Sequence, residues 1–186
     1  TDTTDVIFTT DHGEFQGDFG LLFKGPYHVD SLMRLPMIWR PAASAGVDPS
    51  VVSTPVGILD LAPTFCEIAG LPVPEWMDGT PLPQTDAAAA AQGRDSVVTV
   101  WDSVHPNGTA IHLRTIHRDG WTCTTALPGT VHDGTEGELY CHAEDPLQRV
   151  NRWDDPSVRA LRDDLVAACL ATLPEFSDPA PLAAPV

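Results

Sequence analysis

Apolar residues first gather at Val6-Ile7-Phe8, a short run in which β-branched and aromatic side chains predict a buried strand. Arg34 to Trp39 predicts a second buried strand, with Pro36 at its start, where a missing N–H is tolerated. Val47 to Thr54 predicts an edge strand. Val56, Leu59, Leu61, Phe65, Ile68 and Ala69 then recur at helical spacing. That helix is expected to start at Thr54 as N-cap with Pro55 at the first helical position, and to stop at Gly70. Residues 81–94 contain five consecutive alanines and read as a linker or a weak helix. Four alternating segments come next, Val97–Trp101, Ala110–Ile116, Gly120–Thr125 and Glu138–His142, parted by the turn signals Asn107-Gly108 and Asp119-Gly120. Pro156 to Leu173 predicts an amphipathic helix with Val158, Leu161, Leu165, Ala168 and Cys169 on one stripe. Phe176 to Val186, rich in proline and alanine, predicts a loose tail.

The first strand ends in Thr9-Thr10-Asp11-His12-Gly13-Glu14. A carboxylate beside an imidazole at the C-terminal end of a buried strand is where open α/β sheets place their sites. Glycine lets the backbone turn away behind them. An ordinary turn, with Asp11 capping the next helix, accounts for these residues equally well.

Further residues decide between the two. Gly17-Asp18-Phe19-Gly20-Leu21, Lys24-Gly25-Pro26, Asp30 and Arg34-Leu35-Pro36-Met37-Ile38 come after them in one order. With the Asp-His-Gly-Glu run, this stretch resembles the sulfatase family of the alkaline-phosphatase-like superfamily. Asp60-Leu61-Ala62-Pro63-Thr64, Ala69-Gly70-Leu71, Met77-Asp78-Gly79, Glu138-Leu139-Tyr140 and Asp145-Pro146 resemble the same family. Phe19 stands where many members carry histidine, and Cys141 where aspartate is usual.

The resemblance implies an α/β chain. Residues 1–86 would be the C-terminal part of an alkaline-phosphatase-like sheet sandwiched by helices, and 87–94 a linker. Residues 95–176 would form a small antiparallel sheet with a terminal helix, and 177–186 the tail. It implies that Asp11 and His12 are metal ligands and that Lys24 binds the sulfate or assists the leaving group. Hard oxygen ligands such as Asp11 suit calcium first, with magnesium as an alternative, whereas the imidazole of His12 would favour manganese or another softer ion. The family's nucleophile is a formylglycine made from cysteine or serine inside Cys/Ser-x-Pro-x-Arg. Ser53-Thr54-Pro55-Val56-Gly57 starts that pattern but has glycine in place of arginine. The motif and two further acidic ligands are therefore expected upstream, and residues 1–186 alone are expected to be inactive.

Charge narrows the partners. A net charge of −16 argues against nucleic acid and against an anionic membrane surface. No run is long and apolar enough to span a bilayer. An anionic ester would need a locally positive pocket, and Lys24 is the chain's single lysine. Asp60 reads as an acid favoured by a helix N-terminus. Cys66 and Cys169 read as free thiols on apolar helix faces, whereas Cys123 and Cys141 sit on strands that could pair. His105, His112, His117, His132 and His142 read as surface or turn residues, and His28 as a loop residue near the substrate at most. No zinc-like Cys/His spacing occurs. The function expected is metal-dependent hydrolysis of a sulfate ester on a carbohydrate. A phosphonate monoester or phosphodiester hydrolase of the same superfamily is the alternative, and a truncated, non-catalytic binding module is the third.

Overall fold

The computed structural model describes residues 2–173, so the tail expected over 177–186 lies outside the described residues. The chain forms two compact units, Thr1–Gly13 with Arg34–Val97, and Glu14–Met33 with Val98 onward.

In the first unit, β1 (Val6–Phe8) pairs antiparallel with β2 (Ile38–Arg40), Ile7 opposite Trp39. The Trp39 indole donates to Asp5 Oδ1 at 2.9 Å, tying the two strands side by side. The second strand is shorter than the sequence suggests and starts beyond Pro36, whose missing N–H cannot join a ladder. Neither strand is buried as expected: Phe8 is 60% and Ile38 63% exposed. No strand forms over 47–54, where Pro49 interrupts the run.

The helix also begins later than Thr54. A 3-10 turn, Ile58–Asp60, leads into α2 (Leu61–Ile68), and Thr54 and Pro55 stay outside it. Asp60 makes that start by accepting the Gly57 N–H at 2.8 Å. The predicted stop holds, because Gly70 adopts φ 68° and Leu71 N–H returns to the Cys66 carbonyl at 2.8 Å. The buried side of this segment is Asp60, Pro63 and Thr64, while Leu59, Phe65 and Ile68 of the predicted stripe are exposed. Asp60, fully buried, also accepts from Thr80 N–H at 2.9 Å and from both terminal nitrogens of Arg94. Its role is structural, as expected, but it rests on Arg94 and two amides rather than on a helix dipole. Gly79 comes so close to the Leu59 carbonyl that a Cβ there would collide with the oxygen. Of the two readings for the alanine run, the helix is realised: α3 (Asp86–Gln92), capped by Thr85, which accepts the Ala88 N–H at 3.1 Å.

The second unit is built on a four-stranded antiparallel sheet, β3 (Ser96–Val104), β4 (Ala110–Arg118), β5 (Trp121–Leu127) and β6 (Gly137–Cys141), paired in chain order. Asp119 (φ 52°) and Gly120 (φ 75°) close the β4–β5 hairpin in two residues, with Arg118 opposite Trp121. Side chains alternate between the faces. On one face, Ile116, Cys123 and Leu139 pack against Leu165 and Cys169 of α4 (Arg159–Ala171), the stripe predicted from periodicity. On the other face, Tyr140 packs with Phe15, Val29 and Leu32, so residues 14–33, including the short helix α1 (Asp30–Met33), cover it.

Burial on the two faces overturns the surface reading of His112 and His117 and places His28 beneath the cover, whereas His105 and His142 lie at turns as expected. His112 is fully buried against Asp102 on the α4 face, while His28, 2% exposed, meets Thr115 on the other. His117 and His142 join a buried threonine. Cys123 and Cys141 do not pair: Cys123 stands opposite Leu139 and Cys141 opposite Trp121, two residues apart in register, and all four cysteines are free thiols. Burial pushes the Cys123 thiol up to about 12, so it packs as an apolar side chain.

Candidate functional site

The candidate residues fall on both units: Asp11 and His12 on the first, Lys24 on the second. At the end of β1 the chain is held open by local bonds. Asp11 Oδ1 accepts from the His12 N–H at 3.0 Å and from the Thr10 hydroxyl at 3.2 Å. The backbone N–H groups of Asp11 and His12, then the His12 ring and the Thr10 hydroxyl, hold the Asp11 carboxyl below the usual carboxylate range. The group is ionised at neutral pH, and its side chain is 83% exposed.

His12 is oriented by its own backbone. Its Nδ1 lies 2.8 Å from the Gly13 carbonyl, which can only accept, so Nδ1 carries the proton. In the neutral ring Nε2 is then a lone pair, 3.5 Å from Asp11 Oδ2. Two electron-pair donors facing each other want a cation between them. An imidazole whose second nitrogen donates to a backbone carbonyl is also how metal-bound histidines are fixed. The pair thus fits a divalent cation and supplies one carboxylate and one nitrogen. No group of three or more His, Cys, Asp and Glu side chains able to hold a metal occurs among the described residues.

Lys24 sits at the end of a tight loop. Gly17 (φ 113°) lets the chain reverse, and its N–H closes the loop on the Leu21 carbonyl at 2.8 Å. Phe15 beneath the loop packs edge-on against Phe19 at 5.9 Å and Tyr27 at 5.5 Å. Lys24 Nζ lies 3.6 Å from Glu14 Oε1, and its side chain is 56% exposed, a cation tethered at one side and open at the other. Glu14 Oε2 is buried and has no hydrogen-bond partner among the described residues. Glu14 is the fourth residue of the Asp-His-Gly-Glu run, yet nothing in the spacing says it turns toward Lys24 rather than toward Asp11. His28 is no substrate-facing loop residue: it lies beneath the loop, and burial pushes its imidazole down to about 4.

A cavity of about 540 Å³ in the first unit is lined by Ile38, Trp39, Arg40, Val51, Val56 and Leu82, among others. No helix among the described residues is long and apolar enough to cross a membrane.

No family model matches the chain. The uncharacterized sulfatase YidJ of Escherichia coli (strain K12) is 30% identical over 181 residues, 96% of this chain and 34% of that protein. The phosphonate monoester hydrolase of Agrobacterium radiobacter superposes with a TM-score of 0.75 at 26% identity, over 91% of this chain and 35% of that one. A structure in complex with its substrate D-glucosamine-2-N,6-O-disulfate superposes with a TM-score of 0.73 at 21% identity, over 92% and 34%; this likeness bears on the fold alone. The chain therefore spans about a third of the length of these proteins.

Proposed function

Because the chain belongs to the sulfatase family and has an alkaline-phosphatase-like fold, we propose that the protein hydrolyses a sulfate ester with the help of a divalent cation. The observation that carries this reading is the donor edge after β1, where Nε2 of His12 and the ionised Asp11 face each other. A sulfate monoester is anionic and its leaving group is an alkoxide, so the work lies in positioning and charge neutralisation. Asp11 and His12 would hold the cation, calcium first with manganese or magnesium as alternatives. When bound, it supplies Lewis-acid polarisation of an ester oxygen. Lys24 sets a point charge against a sulfate oxygen or the leaving oxygen. Glu14, 3.6 Å away, aims that ammonium. A formylglycine nucleophile is implied by the family, and a sulfated sugar is the substrate class we favour.

The phosphonate monoester hydrolase among the structural relatives supports a second reading, cleavage of a phosphonate ester at the same residues. One experiment separates the two. The protein from its complete reading frame is produced with a formylglycine-generating enzyme and assayed on an aryl sulfate beside an aryl phosphonate. Sulfate turnover is expected, falling about 10²–10³-fold in Lys24→Ala and lost with a chelator. Preference for the phosphonate moves the protein to the second reading, and cleavage of neither ester overturns both.

A further inference from the structure

Residues 14–33 carry Lys24 and belong to the second unit. Besides their apolar packing, polar ties hold them to the sheet and to the loop that follows β6. His28 Nδ1 meets the Thr115 hydroxyl at 2.7 Å, which in turn meets Thr124 at 2.8 Å. The Asp30 N–H donates to Gln148 Oε1 at 2.6 Å. A third tie joins Asp30 Oδ2 and Nδ1 of His142, 3.4 Å apart, and it differs in kind because it can be charged on both sides.

Behind this pair lies one buried hydroxyl. Thr122 Oγ1 is 2.6 Å from Nε2 of His142 and 2.9 Å from Nδ1 of His117. A hydroxyl has a single proton to give. With His142 neutral and its Nδ1–H turned to Asp30, Nε2 is a lone pair and takes the Thr122 proton. The Thr122 oxygen then accepts the Nδ1–H of His117. With His142 protonated, Nε2–H points into Thr122, the hydroxyl proton turns round to Nδ1 of His117, and His117 must carry its own proton on Nε2. Burial holds His117 below its ordinary value although Asp30 pulls the other way, and its ring is 6.4 Å from that of His142, so charge on one ring opposes charge on the other.

We propose that Asp30 and His142 are positioning residues for Lys24, and that one proton taken up by the His117–Thr122–His142 chain and left on His142 tightens the tie that fixes the Lys24 segment on the sheet. In that step solvent gives a proton to Nε2 of half-buried His117, the Nδ1 proton of His117 passes to the Thr122 oxygen, and the Thr122 proton passes to Nε2 of His142; release runs in reverse. The neighbouring charges are engaged elsewhere. Asp119 of the adjoining turn faces Arg118, Glu144 faces Arg152, and Asp145 accepts the Val150 N–H. His28 is held neutral, and Arg114 lies against Asp102 on the opposite face of the sheet.

The inference rests on the role proposed for Lys24, and its test keeps the two apart. In the intact protein with ¹⁵N-labelled histidine, NMR across the His142 titration should show His117 Nδ1 changing from protonated to lone pair as pH falls. In Thr122→Val, which keeps the volume and removes the hydroxyl, His142 should still titrate while His117 no longer switches. Amide protection factors over residues 14–33 should rise as His142 protonates in the wild type and lose that step in His142→Gln. On an aryl sulfate, kcat/KM should fall on the alkaline side of the same titration, and His142→Gln should lose that limb. A His117 tautomer that stays constant, a switch that survives Thr122→Val, or an alkaline limb retained in His142→Gln overturns the relay. An active Lys24→Ala overturns the role of Lys24 instead and leaves the NMR result standing.

Discussion

Arg94 spans 34 residues of sequence to place its guanidinium on Asp60, which is fully buried and also takes two backbone N–H groups. Removing the cation alone strands a buried carboxylate, so Arg94→Ala should cost about 3–5 kcal/mol, read as a lower denaturation midpoint in urea. A loss under about 1 kcal/mol would mean that the two amides suffice for Asp60. His28 makes a prediction in pH. Its imidazole is pushed down to about 4 by burial, with the nearby His117 and Arg114 adding, whereas the unfolded ring titrates near 6.5. Between those values the unfolded state binds the extra proton, so stability falls as pH drops through that window. The loss is up to about 3 kcal/mol by linkage. Unfolding at pH 7 and pH 5 should differ in that direction, and His28→Gln should flatten the difference. A slope that His28→Gln leaves unchanged would place the proton uptake on other groups.

At the scale of elements, the patterns legible in the sequence were those decided locally. Asp119-Gly120 dictates a two-residue hairpin because both residues accept positive φ, and the Leu165/Cys169 stripe finds the sheet face that alternation predicts. Leu165 is 1% exposed at the centre of that contact, so Leu165→Ala should cost about 2–5 kcal/mol in thermal or urea unfolding. What was not legible depended on a distant segment. Thr115, His117, Thr122 and Thr124 occupy alternate, polar positions that normally face water, yet residues 14–33 lie over them. Periodicity reports which side chains share a face, not what covers it. The same limit explains the histidines read as surface groups and the two β1–β2 strands read as buried. The candidate residues Asp11, His12 and Lys24 were named from motif order, but the Gly13 carbonyl that fixes the His12 tautomer and the turn of Glu14 toward Lys24 are tertiary facts.

For the molecule as a whole, apolar residues are divided unequally between the units. Among the described residues, both clusters of buried apolar side chains, Ile116–Cys123–Leu139–Leu165–Cys169 and Phe15–Val29–Leu32–Tyr140, lie in the second unit. In the first unit Val6, Phe8, Ile38, Leu59, Phe65 and Trp76 are exposed, with Phe8 at 60% and Trp76 at 76%. Buried apolar contact is what separates globally protected amides from those released by local opening. In the chain of residues 1–186 taken alone, hydrogen exchange should therefore be slowest in β4, β5, β6 and α4 and fast in β1, β2 and α2. Residues 14–33 make the sharper test, because in sequence they lie between β1 and β2 while their packing belongs to the second unit. They should exchange with β4–β6, at rates unlike those of the strands on either side of them. If 14–33 instead exchanged as fast as β1 and β2, the cover over the sheet would be too weak to set the position of Lys24, and the loop would have to be ordered by contacts outside this unit.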